Sequence, residues 1–234
     1  MPAAPAGTAP DAAGGASAEV HARWLASLQR VAARAAHEIN NALNGAVVNL
    51  EVVRIRGVAG RDAGAVAPFA ASGAGQLEGA VRLVEALTAL ARAPQNGADV
   101  GATARQLVTL LAPAAAHDGV ELVVDGAEGG MPTAAAPSAV RWAVADALLS
   151  ALAQATMPAS DAAEPGDLGG ANPAPVTPRV VRCVLQVAPD PIIRIDSPAS
   201  VPVAGDAMAV LRTCGIDVGY EGTALRLAFP PLAS

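Results

Sequence analysis

The sequence predicts an α+β protein: an antiparallel helical hairpin that pairs with a second copy into a dimeric four-helix bundle, followed by an α/β sandwich. Three observations predict it. Hydrophobic residues make up 53% of the chain but aromatics only 2%, so the core is built of small side chains and favours helices. Apolar residues recur at helical spacing on both sides of a glycine-rich break in the first third. Beyond residue 96, helical stretches mix with short β-branched runs, the pattern of helices laid on one face of a sheet. The 234 residues suffice for one large domain or two small ones. We divide them into a disordered leader (1–16), a dimerising hairpin (17–95) and the sandwich (96–234), with a mobile loop at 158–178.

Composition narrows the function. A net charge of −6 argues against nucleic acid, whose phosphates are bound through excess Lys and Arg. Every basic side chain is arginine, so the lysine of P-loop enzymes is missing. Cys183 and Cys214 have no metal-site spacing and form no disulfide framework; both are expected to be buried thiols. No run of 18 uncharged apolar residues spans a membrane, and the Ala/Gly/Pro-rich start lacks the basic and apolar regions of a secretion signal. The expected location is the cytoplasm.

Along the chain, Ser17–Arg56 reads as one amphipathic helix with a seam at Leu28, Val31, Ala35, Ile39, Leu43, Ala46, Leu50 and Val53. Residues 57–75 hold five glycines and a proline, which predicts a turn. A second helix, Gln76–Ala93, repeats the seam with Leu77, Val81, Val84, Leu87 and Ala91 and stops at Pro94. Two helices cannot hide both seams, and a second copy completes the bundle. Next come a helix at Gly101–His117, a strand at Val120–Val124, and a helix at Pro137–Ala155 with proline in its first turn. Residues 157–178 have no apolar periodicity. Strands follow at Val180–Val187 and Ile192–Ile195, then a helix at Gly205–Cys214, then strands at Ile216–Tyr220 and Thr223–Phe229.

The sharpest local signal is His37-Glu38-Ile39-Asn40-Asn41. At about 100° per residue, His37 lies about 180° from Leu28, opposite the seam, on the side of Arg30, Arg34, Asn41 and Asn44. A lone exposed histidine is ordinarily a surface residue, but this one has chemical company. A neutral imidazole is a good nucleophile toward phosphorus. Glu38 can hold one ring nitrogen protonated, Asn41 can position a water, and Arg34 can neutralise a transferred phosphate. Val48, Val52 and Ile55 continue the same face and suggest either a docking surface or packing against the second domain. His21 and His117 have no acid partner at useful spacing, and Trp24 and Trp142 read as packing residues.

The stretch Ala36-His37-Glu38-Ile39-Asn40-Asn41-Ala42-Leu43-Asn44-Gly45 resembles the phospho-acceptor box of sensor histidine kinases, His-Glu-x-x-Asn/Thr-Pro-Leu. The resemblance implies that His37 accepts phosphate, Glu38 is the acid/base residue, and Asn41 serves phosphatase activity. Ala42 stands where the family has a helix-kinking proline, which implies a straighter helix. Val100–Pro230 resembles the ATPase-like domain of those kinases, most closely at Gly215-Ile216-Asp217-Val218 and Gly222–Pro230. Its nucleotide-binding parts are eroded. The expected Asn-Leu-Leu-x-Asn-Ala reads Ala147-Leu148-Leu149-Ser150-Ala151-Leu152, without the magnesium-binding asparagine. The Asp-x-Gly-x-Gly box is reduced to Asp196-Ser197-Pro198-Ala199-Ser200, and no glycine-rich lid follows. Phosphate cradles need such glycine turns and a metal.

A phospho-acceptor hairpin joined to a degenerate domain of the histidine kinase ATPase type is similar to bacterial histidine phosphotransferases of two-component signalling. The implied reaction exchanges a phosphoryl group between His37 and the aspartate of a response-regulator receiver domain, without ATP. It needs no cofactor in this chain, because the receiver supplies magnesium. Asn44, Val48, Val52 and Ile55 would dock that receiver, and an upstream hybrid histidine kinase would feed the relay. The alternatives are a histidine kinase with a divergent nucleotide pocket and a non-catalytic pseudokinase or phosphatase module.

Overall fold

The computed structural model describes residues 12–92, 97–157, 179–187 and 189–232, with side chains from residue 17 onward. The first helix, α1 (Ala12–Val58), runs 47 residues, about 70 Å at 1.5 Å per residue. Residues 12–16 of the expected leader are therefore helical, while residues 1–11 lie outside the described residues. The loop expected at 158–178 lies outside them too.

The expected turn at 57–75 is mostly helix. Only residues 59–62 break the chain, and α2 (Ala63–Ala91) starts well before Gln76. Asp62 caps it by accepting a hydrogen bond from the Ala65 amide at 2.8 Å. The glycines that suggested a turn serve close packing instead. A Cβ at Gly73 would sit 3.4 Å from the Asn49 Cβ, and one at Gly45 would strike the Gln76 side chain at 2.4 Å. The two helices meet here, and Asn49 Nδ2 donates to the Gly45 carbonyl and to Gln76 Oε1, both at 3.0 Å. At the hairpin tip Arg56 donates to the Ala65 carbonyl at 2.8 Å and stacks 4.3 Å from the Phe69 ring. Tertiary contact thus overrides the poor helix propensity of glycine.

After a short strand, β1 (Ala98–Asp99), come α3 (Val100–His117), β2 (Val120–Gly126), β3 (Pro132–Thr133), α4 (Pro137–Thr156) and β4 (Arg179–Gln186). The chain then forms β5 (Ile192–Asp196), α5 (Gly205–Thr213), β6 (Asp217–Glu221) and β7 (Ala224–Ala228). Five strands make one mixed sheet in the order β2-β4-β5-β7-β6. The β2–β4 pair is parallel, crossing over through α4, and the other pairs are antiparallel. The strand pair β1–β3 was not expected; each member is two residues long, too short to show an alternating pattern.

Alternation along the strands decides which face is covered. Val181, Cys183 and Leu185 of β4, Ile193 and Ile195 of β5, and Leu225 and Leu227 of β7 are buried. Their neighbours on the other face pair as ions: Arg182 with Asp125, Arg194 with Asp196 at 3.0 Å, and Arg226 with Glu221 at 3.5 Å. Helix α4 is apolar nearly all round because α1 covers one side of it and the sheet the other. No described helix is long and apolar enough to cross a membrane.

The two thiols differ, which corrects the expectation that both are buried: Cys183 is enclosed and Cys214 is half-buried. Burial, with the Asp125 carboxylate adding to it, pushes the Cys183 thiol up to about 12. A thiol reagent at neutral pH should therefore modify Cys214 in the native protein and Cys183 only as the chain unfolds. Peptide mapping of the modified protein checks this.

Candidate functional site

The first half of α1 is fastened to the sandwich. Trp24, Val31 and Ala35 are buried in the shared core. Arg23 reaches both Glu19 and Asp206 of α5 at 2.8 Å while lying 5.2 Å from the Trp142 ring. Arg30 pairs with Asp146 of α4 at 2.9 Å. It is therefore engaged with the second unit rather than free on the face of His37, where the helical angle alone put it. Both tryptophans pack in the core, each beneath an arginine, with Arg141 over Trp24.

Past Ala35, α1 leaves α4 and meets the C-terminal end of α3. That helix stops at His117 because Gly119 adopts a left-handed φ of 71°, the usual glycine termination. Arg34, His37, Glu38 and Asn41 of α1 face Ala114, His117 and Asp118 there across an open cleft of about 330 Å³. A second cleft of about 360 Å³ shares Glu38 and Asn41 and continues between α2 and α3, past Gln76, Arg82 and Thr109. The His37 ring is exposed at the mouth. Among the described residues, no hydrogen bond or ion pair holds it. Arg34 and Asn41 are exposed beside it; Asn44, Val48 and Ile55 are exposed farther along α1, and Val52 is half-buried.

Glu38 departs from expectation. Among the described residues, its carboxylate has no hydrogen bond or ion pair to the His37 ring. It turns into the groove between α1 and α3, only 7% exposed, with Oε1 3.3 Å from His117 Nδ1. His117 therefore has an acid partner after all. No local spacing could reveal it, because α3 brings His117 in from a distant part of the chain. Gln76, Thr109 and Asp118 reach the clefts in the same way.

The seam of α1 also divides. Val31, Ala35 and Ala46 are buried, and Leu28, Ile39 and Val53 are half-buried. Leu43 and Leu50 instead stand exposed; among the described residues, α2 is the element packed on α1 beyond the cleft. Asp196 ends β5 and pairs with Arg194. Among the described residues no three His, Cys, Asp or Glu side chains gather as metal ligands would.

Two solved structures superpose on most of the chain. One is described as a bacterial phosphotransferase; it shares 13% identity, covers 86% of this chain and 94% of its own, and scores a TM of 0.37. The other is the histidine kinase domain of a blue-light activated histidine kinase from Erythrobacter litoralis, with 15% identity, 87% and 94% coverage, and a TM-score of 0.36. No family model and no curated protein matches the chain.

The arginine clamp that sets α1 on the sandwich is sensitive to acid. Hydrogen bonding from Arg23, and then the Ala207 amide, holds the Asp206 carboxyl below the usual carboxylate range. A depressed folded value stabilises above the unfolded value and is lost as pH falls through the folded one. The melting temperature of Arg23→Ala should therefore fall short of the wild type at pH 7, and the gap should narrow, without vanishing because the Trp142 contact remains, as pH drops below about 4. Thermal melts at both pH values check it.

Proposed function

We propose that this chain is a histidine phosphotransferase of the two-component type, with His37 exchanging a phosphoryl group with the aspartate of a receiver domain. The observation that carries the reading is the His37 ring, exposed in mid-helix at the mouth of a cleft beside Arg34 and Asn41. An imidazole lone pair attacks phosphorus, the nitrogen–phosphorus bond forms, and the acyl phosphate's phosphorus–oxygen bond breaks. Its electron pair returns to the receiver's carboxylate. Such transfers depend mainly on positioning and on charge offered to the phosphoryl oxygens. Arg34 supplies charge from this side, and magnesium and lysine would come from the receiver. Asn41 would hold a water for hydrolysis, so a phosphatase activity fits the same cleft.

Asn44, Val48, Val52 and Ile55 continue from His37 along one ridge of α1, in steps of three and four residues. Val48 is 63% and Ile55 55% exposed. An apolar ridge leading away from the nucleophile supports docking of a receiver there, with an upstream hybrid histidine kinase as the original donor.

In this reading the second unit binds no ATP. Two features support it besides the eroded motifs. Within the segment from Ser197 to Ala204, Val201 is fully buried and Val203 packs against the core. The Tyr220 hydroxyl donates to the Val201 carbonyl at 2.9 Å and fastens the segment where a kinase has its mobile lid. The unit would serve as a wall of the docking site.

The reading also includes a homodimer. Leu43, Val47 and Leu50 of α1 and Leu77, Val81 and Val84 of α2 form exposed apolar stripes, with Leu50 at 53% and Val81 at 54%. Burying each remaining half side chain is worth on the order of 1 kcal/mol, and a four-helix bundle with a second copy does so. Light scattering should give a dimer for the wild type and a monomer for Leu43→Glu combined with Leu50→Glu.

The transfer itself is tested with a panel of receiver domains carrying radioactive aspartyl phosphate. One or more should pass acid-labile label to this chain, His37→Ala should receive none, and radioactive ATP alone should label neither. A panel with no donor, or label that persists in His37→Ala, contradicts the proposal.

A further inference from the structure

We infer that His117 is a positioning residue for transfer at His37, acting through Glu38; the inference rests on His37 being the phospho-acceptor. A carboxylate that is only 7% exposed needs a partner to offset its lost hydration. The His117 Nδ1, 3.3 Å from Oε1, is the nitrogen that supplies it among the described residues. Arg34, one turn earlier on α1 and also lining the cleft, makes no ion pair with it among those residues. His117 itself is 67% exposed, so packing is not what its ring contributes.

The consequence is electrostatic. His37 and Glu38 are adjacent in sequence and line one cleft, so the direction of the carboxylate sets the field beside the attacking nitrogen. Unanchored, Glu38 can swing toward the mouth, where a phosphoryl group bearing negative charge arrives, and repel it. Held in the floor by His117, its charge stays behind the nucleophile and the mouth keeps Arg34 and Asn41. The competing explanation is that His117 merely complements the C-terminal end of α3, in which case its effect would not pass through Glu38.

Phosphoramidate separates the two and needs no partner protein. Its phosphorus–nitrogen bond breaks as the imidazole attacks, ammonia leaves, and a nitrogen–phosphorus bond forms on the ring. Labelling rates are measured on the full chain as acid-labile phosphate. His117→Ala should slow labelling about tenfold, less than the ~100-fold that displacing a reacting group costs. His117→Asn, whose amide nitrogen falls near the position of Nδ1, should stay within about twofold of wild type, since it keeps a polar nitrogen beside the Glu38 carboxylate. In a Glu38→Ala background, His117→Ala should cost nothing further. Wild-type rates in His117→Ala, equal losses in the Asn and Ala variants, or an added loss in the double variant would overturn the inference. If the wild type takes no label, or His37→Ala labels equally well, the phosphotransferase reading fails and this inference falls with it.

Discussion

The contact between the N-terminal half of α1 and the sandwich sets everything else in place. Trp24, Val31 and Ala35 enter a core shared with α4, and Arg23 and Arg30 fasten the rim to Asp206 and Asp146. A helix as long as α1 cannot be covered by one neighbour throughout. Its first half rests on α4 and its second half on α2. His37 falls at the changeover, where the end of α3 comes near without closing over it. That placement makes the imidazole reachable and gives it a wall on one side.

The same arrangement explains why a polar cleft persists beside an alanine-rich core. Small side chains let α1, α2 and α3 approach closely, as Gly45 and Gly73 show on the α1–α2 side. At the end of α3 the backbone turns away at Gly119 and leaves room for larger polar groups. Glu38 turns into that gap and is met by His117. The unit that follows the hairpin thereby contributes a side chain to the neighbourhood of His37.

Much of this was legible in the residues, and the misses have definite causes. Short β-branched runs marked β4, β5 and β7 within a residue or two, and an apolar seam at helical spacing marked α1. The stretch 57–75 misled because glycine permits a turn and equally permits close helix packing, and only the facing helix distinguishes them. The strands β1 and β3 carry too few residues for any periodicity. At the site, the exposure of His37 followed from its angle on α1, whereas the turn of Glu38 toward His117 did not. That pair joins two helices, and an angular argument on one helix contains nothing about the other. The partner of Arg30 was hidden for the same reason, since Asp146 lies on α4.

The central claim concerns one ring among the three histidines of the chain. The most direct measurement is a nitrogen–phosphorus coupling in the NMR spectrum of ¹⁵N-histidine-labelled protein after it has met a phosphorylated receiver, with the rings assigned by substitution. The account predicts a one-bond coupling on the His37 imidazole and on neither of the other two. A coupling on His117 or His21, or a phosphorylated protein with no coupling to any ring nitrogen, would contradict it.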